Sequence, residues 1–227
     1  MTKKLFTAVT LMLICIALQA ANKERRETET FTQIEVSKGA NISLVQCDSL
    51  YLEVVTDGCP TSDVETYVKK GILYVRMAKR TPGSAVQVFI YFGDVERIDV
   101  KTGASVDTDC HFEHHGGAFT LAVGAKCEAE MDIDVDELIV DANSCTIELE
   151  GIAKKQTVDF AGTVGEARYD ASSLESEEVD ITVSGAEATV KFSKSLNAKA
   201  MGGSITYIGD EANVTAQESL GGKIQKQ

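Results

Sequence analysis

Apolar and polar residues alternate along most of this chain, and no stretch sustains a helical period. The alternation is clear in Ile34-Glu35-Val36, Leu50-Tyr51-Leu52-Glu53-Val54, Ile72-Leu73-Tyr74-Val75-Arg76-Met77 and Val86 to Phe92. A period of two belongs to strands with one buried face. Gly39, Asp57-Gly58, Lys70-Gly71 and Pro82-Gly83 separate these runs as turns. The pattern predicts an all-β region over residues 31–97, preceded by a polar linker at 21–30.

From Ile98 onward the pattern repeats. Alternating segments open at Ile98, Phe119, Leu138, Val158, Val179, Leu196 and Val214, 17 to 21 residues apart. Each runs for about three alternating positions, breaks at small or turn residues such as Gly103-Ala104-Ser105, Asn143-Ser144 or Gly202-Gly203-Ser204, and resumes. Two short strands and two turns in about 20 residues make one coil of a parallel β-helix. Such a coil cannot bury its apolar side alone, and stacking at a strand spacing of about 4.8 Å builds a continuous core. A sandwich would also turn every 8 to 12 residues or so. The near-identity of the coils and the small interior candidates Ala129, Ala142, Ala167, Ala188, Ala198 and Ala200 favour a narrow column over residues 98–227.

The stretch from Leu196 to Gly209, with Val214 and Leu220-Gly221-Gly222-Lys223-Ile224, resembles the bacterial envelope proteins described as auto-transporter adhesins with a head GIN domain. Phe31 to Ile34 and Gly39 to Leu44 resemble the start of that family, so the likeness spans about residues 31–227. The chain departs from the family in having few Ser-Gly turns and in Asp210, where a proline is usual. The resemblance implies a right-handed, pectin-lyase-like β-helix and a role in adhesion or surface recognition.

Residues 1–20 read as an address. Lys3 and Lys4 precede an apolar run from Leu5 to Leu18, small residues follow, and charge arrives at Lys23. This is the form of a signal peptide cut after Ala20 or Ala21, and its apolar part is shorter than the roughly 20 residues a membrane span needs. The expected locations are the periplasm, the outer-membrane surface or the extracellular space, with no membrane span after cleavage.

Charge then narrows the partners. The chain has 22 basic and 35 acidic residues, a net −13, and losing Lys3 and Lys4 would make it −15. Nucleic acid, which needs a basic footprint, is excluded as a partner. The implied partner is a surface ligand, a glycan or a protein. Without an obvious cap after Val214, a homo-oligomer built through the last coil is a further expectation.

Five cysteines remain beyond the address. Cys47 and Cys59 flank the strand at Leu50 to Val55 as a candidate disulfide. Cys127 and Cys145 occupy equivalent places in successive coils, with Val106 and Val164 expected in the flanking coils. A strained bridge and two buried free thiols both suit that placement. Cys110 is left over as the odd thiol.

Candidate metal ligands fall in two places. Cys110 to His115 holds His111, His114 and His115, residue types that bind zinc or copper, at a spacing that matches no established site. A solvated loop is the simpler reading. Asp132, Asp134 and Asp136 imitate the opening of a calcium loop, but Glu137 stands where glycine is required and Asn143 where a bidentate glutamate is required. Glu128, Glu130, Asp141, Glu148 and Glu150 extend this acidity. No cofactor is implied. Arg168 with Asp159, Glu166 and Asp170 is the one grouping that a polysaccharide-active enzyme of this fold could use. No Ser-His-Asp order, nucleophile elbow or phosphate loop accompanies it. The expectation is an exported, non-enzymatic recognition module, with a polysaccharide-active enzyme or carbohydrate-binding module and a self-associating scaffold as alternatives.

Overall fold

The computed structural model describes residues 21–227, so the expected signal peptide at 1–20 and its junction at Ala20 lie outside the described residues. The described chain is a parallel β-solenoid of about seven turns, with bridges about 19 residues apart. Among the described residues no helix is long and apolar enough to cross a membrane.

The first region contains β1 (Asn22–Glu27), β2 (Gln33–Ser37), β3 (Asn41–Gln46), β4 (Tyr51–Asp57), β5 (Val64–Lys69), β6 (Ile72–Met77) and β7 (Ala85–Phe92). Next come β8 (Arg97–Val100), β9 (Ser105–Thr108), β10 (Phe112–Val123), β11 (Glu128–Asn143), β12 (Thr146–Ala161) and β13 (Arg168–Ser184). The last are β14 (Glu187–Lys191), β15 (Ser195–Met201), β16 (Ser204–Ile208), β17 (Val214–Ser219) and β18 (Lys223–Lys226).

The column has two continuous faces. The first stacks β6, β2, β8, the second halves of β10 to β13, then β15 and β17. The second stacks β7, β3, β9, the first halves of β11 to β13, then β14, β16 and β18. Inward residues align in register, as in Leu73, Ile34, Ile98, Leu121, Val140, Val158, Ile181 and Ala198 on the first face. All eight are buried, and so are the six alanines expected inside.

Three departures from the sequence reading have physical causes. The linker at 21–30 contains a strand: Asn22–Glu27 pairs antiparallel with β4. It has no apolar residue, and it is held by its ladder and by Arg26, which donates to the carbonyls of Val64 (2.7 Å) and Thr61 (2.9 Å). The parallel stack also begins before Ile98, because the coil β2–β3 lies between β6–β7 and β8–β9. Antiparallel β5 on β6 and β4 on β7 close that end of the column. Finally, the middle coils have a short third face, where Phe112–His114, Ile133–Val135, Gly151–Ala153 and Leu174–Ser176 stack. The long strands β10 to β13 bend around it, so Cys110–His115 is only in part a loop.

One corner of the column explains two sequence features together. Ladder bonds place Ala40, Ala104, Cys127, Cys145, Ala167, Ala186, Gly203 and Gly222 above one another. The corner is too tight for larger side chains: a Cβ on Gly203 would stand 2.3 Å from the Ala186 carbonyl oxygen. The cysteines therefore act as small apolar residues. Their neighbours are Ala104 and Ala167, not Val106 and Val164; Val106 pairs with Ala129, and Val164 lies in an exposed turn.

Candidate ligand-binding site

On the outside of the second face, register places Asp107, Glu130, Glu148 and Asp170 on four successive coils. Asp132 and Glu150 form a parallel pair beside them, in register with each other. With Asp109 these residues line an open groove of about 500 Å³, joined by Cys110, His111, Ser172 and Ser173. Strand spacing brings neighbouring carboxylates on adjacent coils to about 5 Å at their Cα atoms, and like charges directly opposite are destabilising.

The rim of the groove is tied down. Ser43 donates to Asp107 (2.5 Å), and Gln87 donates to Ser43 (2.6 Å). The ring of His111 meets Asp132 at 2.8 Å, and the Asp132 amide donates to the Thr108 hydroxyl at 2.9 Å. Arg168 donates to Asp170. Burial raises the Asp170 carboxyl, but bonds from Ser172 and Arg168 outweigh it and hold the group below the usual carboxylate range. Glu130, Glu148 and Glu150 in the middle make no comparable ion pair among the described residues.

The opposite treatment of charge is seen at the corner between the third and first faces. There Lys154 meets Asp136, Lys155 meets Glu137 (2.9 Å), and Lys194 meets Glu177. Acid and base alternate from coil to coil. The bond from Lys154, aided by the Gly116 amide, holds Asp136 down at about 2. The same fold thus neutralises one line of acids and leaves another concentrated.

The sequence candidates separate accordingly. His111 and Asp132 reach the groove, whereas His115 and Asp136 sit at the charged corner, 3.7 Å apart. His114 points inward, buried, with its ring 2.8 Å from Asp94. Asp134 lies between Asp132 and Asp136 on one strand, and outward residues two apart are separated by about 6.6 Å. The three aspartates therefore do not converge on one point, and among the described residues no group of three or more such side chains is arranged around a metal ion. Arg168 keeps Asp170 but not Asp159, which stands on the first face between Asp141 and Thr182.

Among the described residues all five cysteines are free thiols. Cys47 bonds the end of β7 through the Phe92 carbonyl, while Gly58, next to Cys59, lies against Ser84 at the opposite end of that strand. The expected Cys47–Cys59 bridge would have to span on the order of 20 Å, far beyond disulfide reach. Cys127 and Cys145 are stacked neighbours, and burial pushes the Cys145 thiol up to about 12. Cys110 is exposed beside the groove.

Solved structures share this architecture. A protein described as a "putative adhesin" from Bacteroides fragilis NCTC 9343 superposes with a TM-score of 0.81 at 17% identity, covering 92% of this chain and 98% of that one. A "putative lipid binding protein" from Parabacteroides distasonis ATCC 8503 gives 0.65 at 17% identity, covering 91% and 96%. A "putative adhesin" from the same organism gives 0.62 at 15% identity, covering 91% and 97%. At these identities the likeness shows the fold. No curated protein sequence matches the chain. The family model described as "Putative auto-transporter adhesin, head GIN domain" matches residues 30–210, and the chain belongs to that family.

Proposed function

We propose that this protein is a non-catalytic recognition module working outside the cytoplasm, and that the acidic groove of the second face is where it holds its ligand. The observation that carries this reading is the unneutralised column of Glu130 and Glu148 beside Glu150, in a solenoid that pairs acids with lysines at a neighbouring corner. A concentrated charge that costs stability is a mark of a working surface. Carboxylates hydrogen-bond hydroxyl and amino groups, while the field of the groove repels anions. The ligand class that fits is a neutral or basic surface glycan.

The family membership supports an adhesion-type role, and the address form of residues 1–20 supports export. One similar structure is named for lipid binding. A groove lined by seven carboxylates, over a core filled by side chains, favours a polar ligand over an acyl chain. The enzyme alternative grouped Asp159, Glu166 and Asp170 around Arg168; Asp170 keeps Arg168 at the edge of the groove, whereas Asp159 stands on the first face.

The test is a glycan array probed with residues 21–227, with and without calcium, beside a Glu130→Gln, Glu148→Gln double variant. Retention of neutral or amino glycans, lost in the variant, is the expected result. Retention unaffected by the double variant would remove the groove from the account, and shortening of a bound polysaccharide would overturn the non-catalytic reading.

A further inference from the structure

The corner that stacks Ala40, Ala104, Cys127 and Cys145 inside the column has an outer side, formed by the turns in which the first face passes into the second. In order along the axis these turns are 78–84, 37–40, 101–104, 124–127, 143–145, 161–167, 184–186, 201–203 and 219–222. At the spacing of neighbouring strands they draw a straight edge on the order of 40 Å long.

This edge inverts the charge of the protein. Lys79, Arg80, Lys38, Lys101 and Lys126 occupy its first four turns, all of them exposed, and Glu166 is the one acid in any of the turns. The chain as a whole has 35 acidic residues against 22 basic ones. Lys101 is tied to Glu35 at 2.7 Å, whereas Lys38, Lys79, Arg80 and Lys126 make no ion pair among the described residues. Arg80 lies across the turn that carries Lys38: a Cβ on Gly39 would stand 3.4 Å from its guanidinium.

Past the cations the same edge turns apolar. Among the described residues the exposed large apolar side chains are Tyr67, Ile152, Val164, Met201 and Leu220, and the last three project from this edge. Leu220 is 86% exposed and holds a φ of 51°, a region that a bulky side chain rarely adopts. It takes the place that Lys38 and Thr102 hold in the equivalent turns, ahead of a glycine that also has positive φ. Lys38 and Thr102 are exposed with coils on both sides of them, so Leu220 owes its exposure to the corner. A leucine kept in water and in a strained conformation points to a contact that offsets both costs.

We propose that this edge is where the protein lies on an anionic lipid bilayer, with Lys38, Arg80 and Lys126 against headgroup phosphates and Val164, Met201 and Leu220 dipping into the interface. The apolar side chains stand singly on a convex edge, which fits a flat, deformable surface better than the pockets of a protein partner. Interfacial attachment adds apolar burial to attraction for anionic lipid, and each basic residue near such a surface contributes about fivefold. The acids of the groove do not cancel this. Asp107 comes three residues after Ala104, about 10 Å along the strand, beyond the screening length of about 8 Å at physiological salt. This goes beyond ligand recognition: the column rests on its side, with the groove of the second face open to solvent.

Flotation of residues 21–227 with vesicles of equal parts phosphatidylglycerol and phosphatidylethanolamine, beside vesicles of phosphatidylcholine alone, tests it. Retention is expected on the anionic vesicles only, and is expected to be lost in 1 M salt. A Lys38→Gln, Arg80→Gln, Lys126→Gln variant is expected to bind about a hundredfold more weakly. Leu220→Gly with Met201→Ser is expected to lose at least about tenfold, and glycine is at ease at the positive φ, so this variant keeps the fold. The chain has no tryptophan, so Met201→Trp supplies a single reporter whose emission is expected to shift to the blue on the anionic vesicles. Ile152→Trp, at a site on the third face that is 44% exposed against 41% for Met201, is expected not to move. No retention on anionic vesicles, equal retention on phosphatidylcholine, or a shift at position 152 as large as that at 201 overturns the proposal. Retention on a sulfated-polysaccharide resin with none on vesicles also overturns it, and would mark the cations as a site for an acidic polymer.

Discussion

Replacing Glu148 by Gln is expected to stabilise the protein, because Glu148 lies in register between Glu130 and Asp170. With the side chains splayed to about 6 Å, each like pair costs about 0.7 kcal/mol at the dielectric constant of water. Arg168 already offsets part of the Asp170 charge, so the net gain is about 1 kcal/mol in dilute buffer, or about 2–4 °C in melting temperature for a chain of this length. In 1 M salt, where charges are screened over about 3 Å, most of that gain is expected to vanish. Thermal melts at both ionic strengths measure the difference. Glu137→Gln serves as the comparison, since it loses a Lys155 partner and is expected to gain nothing. A Glu148→Gln protein no more stable in dilute buffer, or a gain insensitive to salt, would refute the claim that this column is under charge strain.

Other consequences follow from the interior and the ends. Tyr169 is fully buried and donates to Gln156 (2.9 Å), so Tyr169→Phe strands a buried acceptor and is expected to cost about 1–3 kcal/mol in denaturant unfolding. The bond from Arg26 holds Glu24 down at about 2, against an ordinary value of 4.5. The stabilisation is present above pH 4.5 and lost as pH falls toward 2, so hydrogen exchange is expected to show β1 releasing before β11 to β13 on acidification. A thiol reagent at pH 8 is expected to label exposed Cys110 in the native protein, and to reach buried Cys59, Cys127 and Cys145 only on unfolding.

The solenoid was legible because its core is written in small, alternating apolar residues whose spacing equals one coil. Register was less legible where a polar residue points inward. Leu138 stacks on Gln156, which in turn stacks on Val179. A search for apolar openings steps over Gln156 to Val158, one pleat away. Gln156 is buried because Tyr169 and Ser176 satisfy its amide, a partnership no local pattern shows. β1 was missed for a similar reason: Asn22–Glu27 has no apolar face and is held by backbone bonds and the Arg26 clasp. The acids of the groove were each visible, but their alignment depends on pairing between coils. Asp132, Asp134 and Asp136 read as one group along the chain, whereas Glu130 and Glu148, 18 residues apart, are the true neighbours.

The central claim is that the ligand lies in that groove, and hydrogen exchange with the best-retained glycan bound tests it most directly. Slower exchange is expected in β9 and in the first halves of β11 to β13, with the first face unchanged. Protection confined to the first face, or to the β4–β7 end of the column, would contradict it.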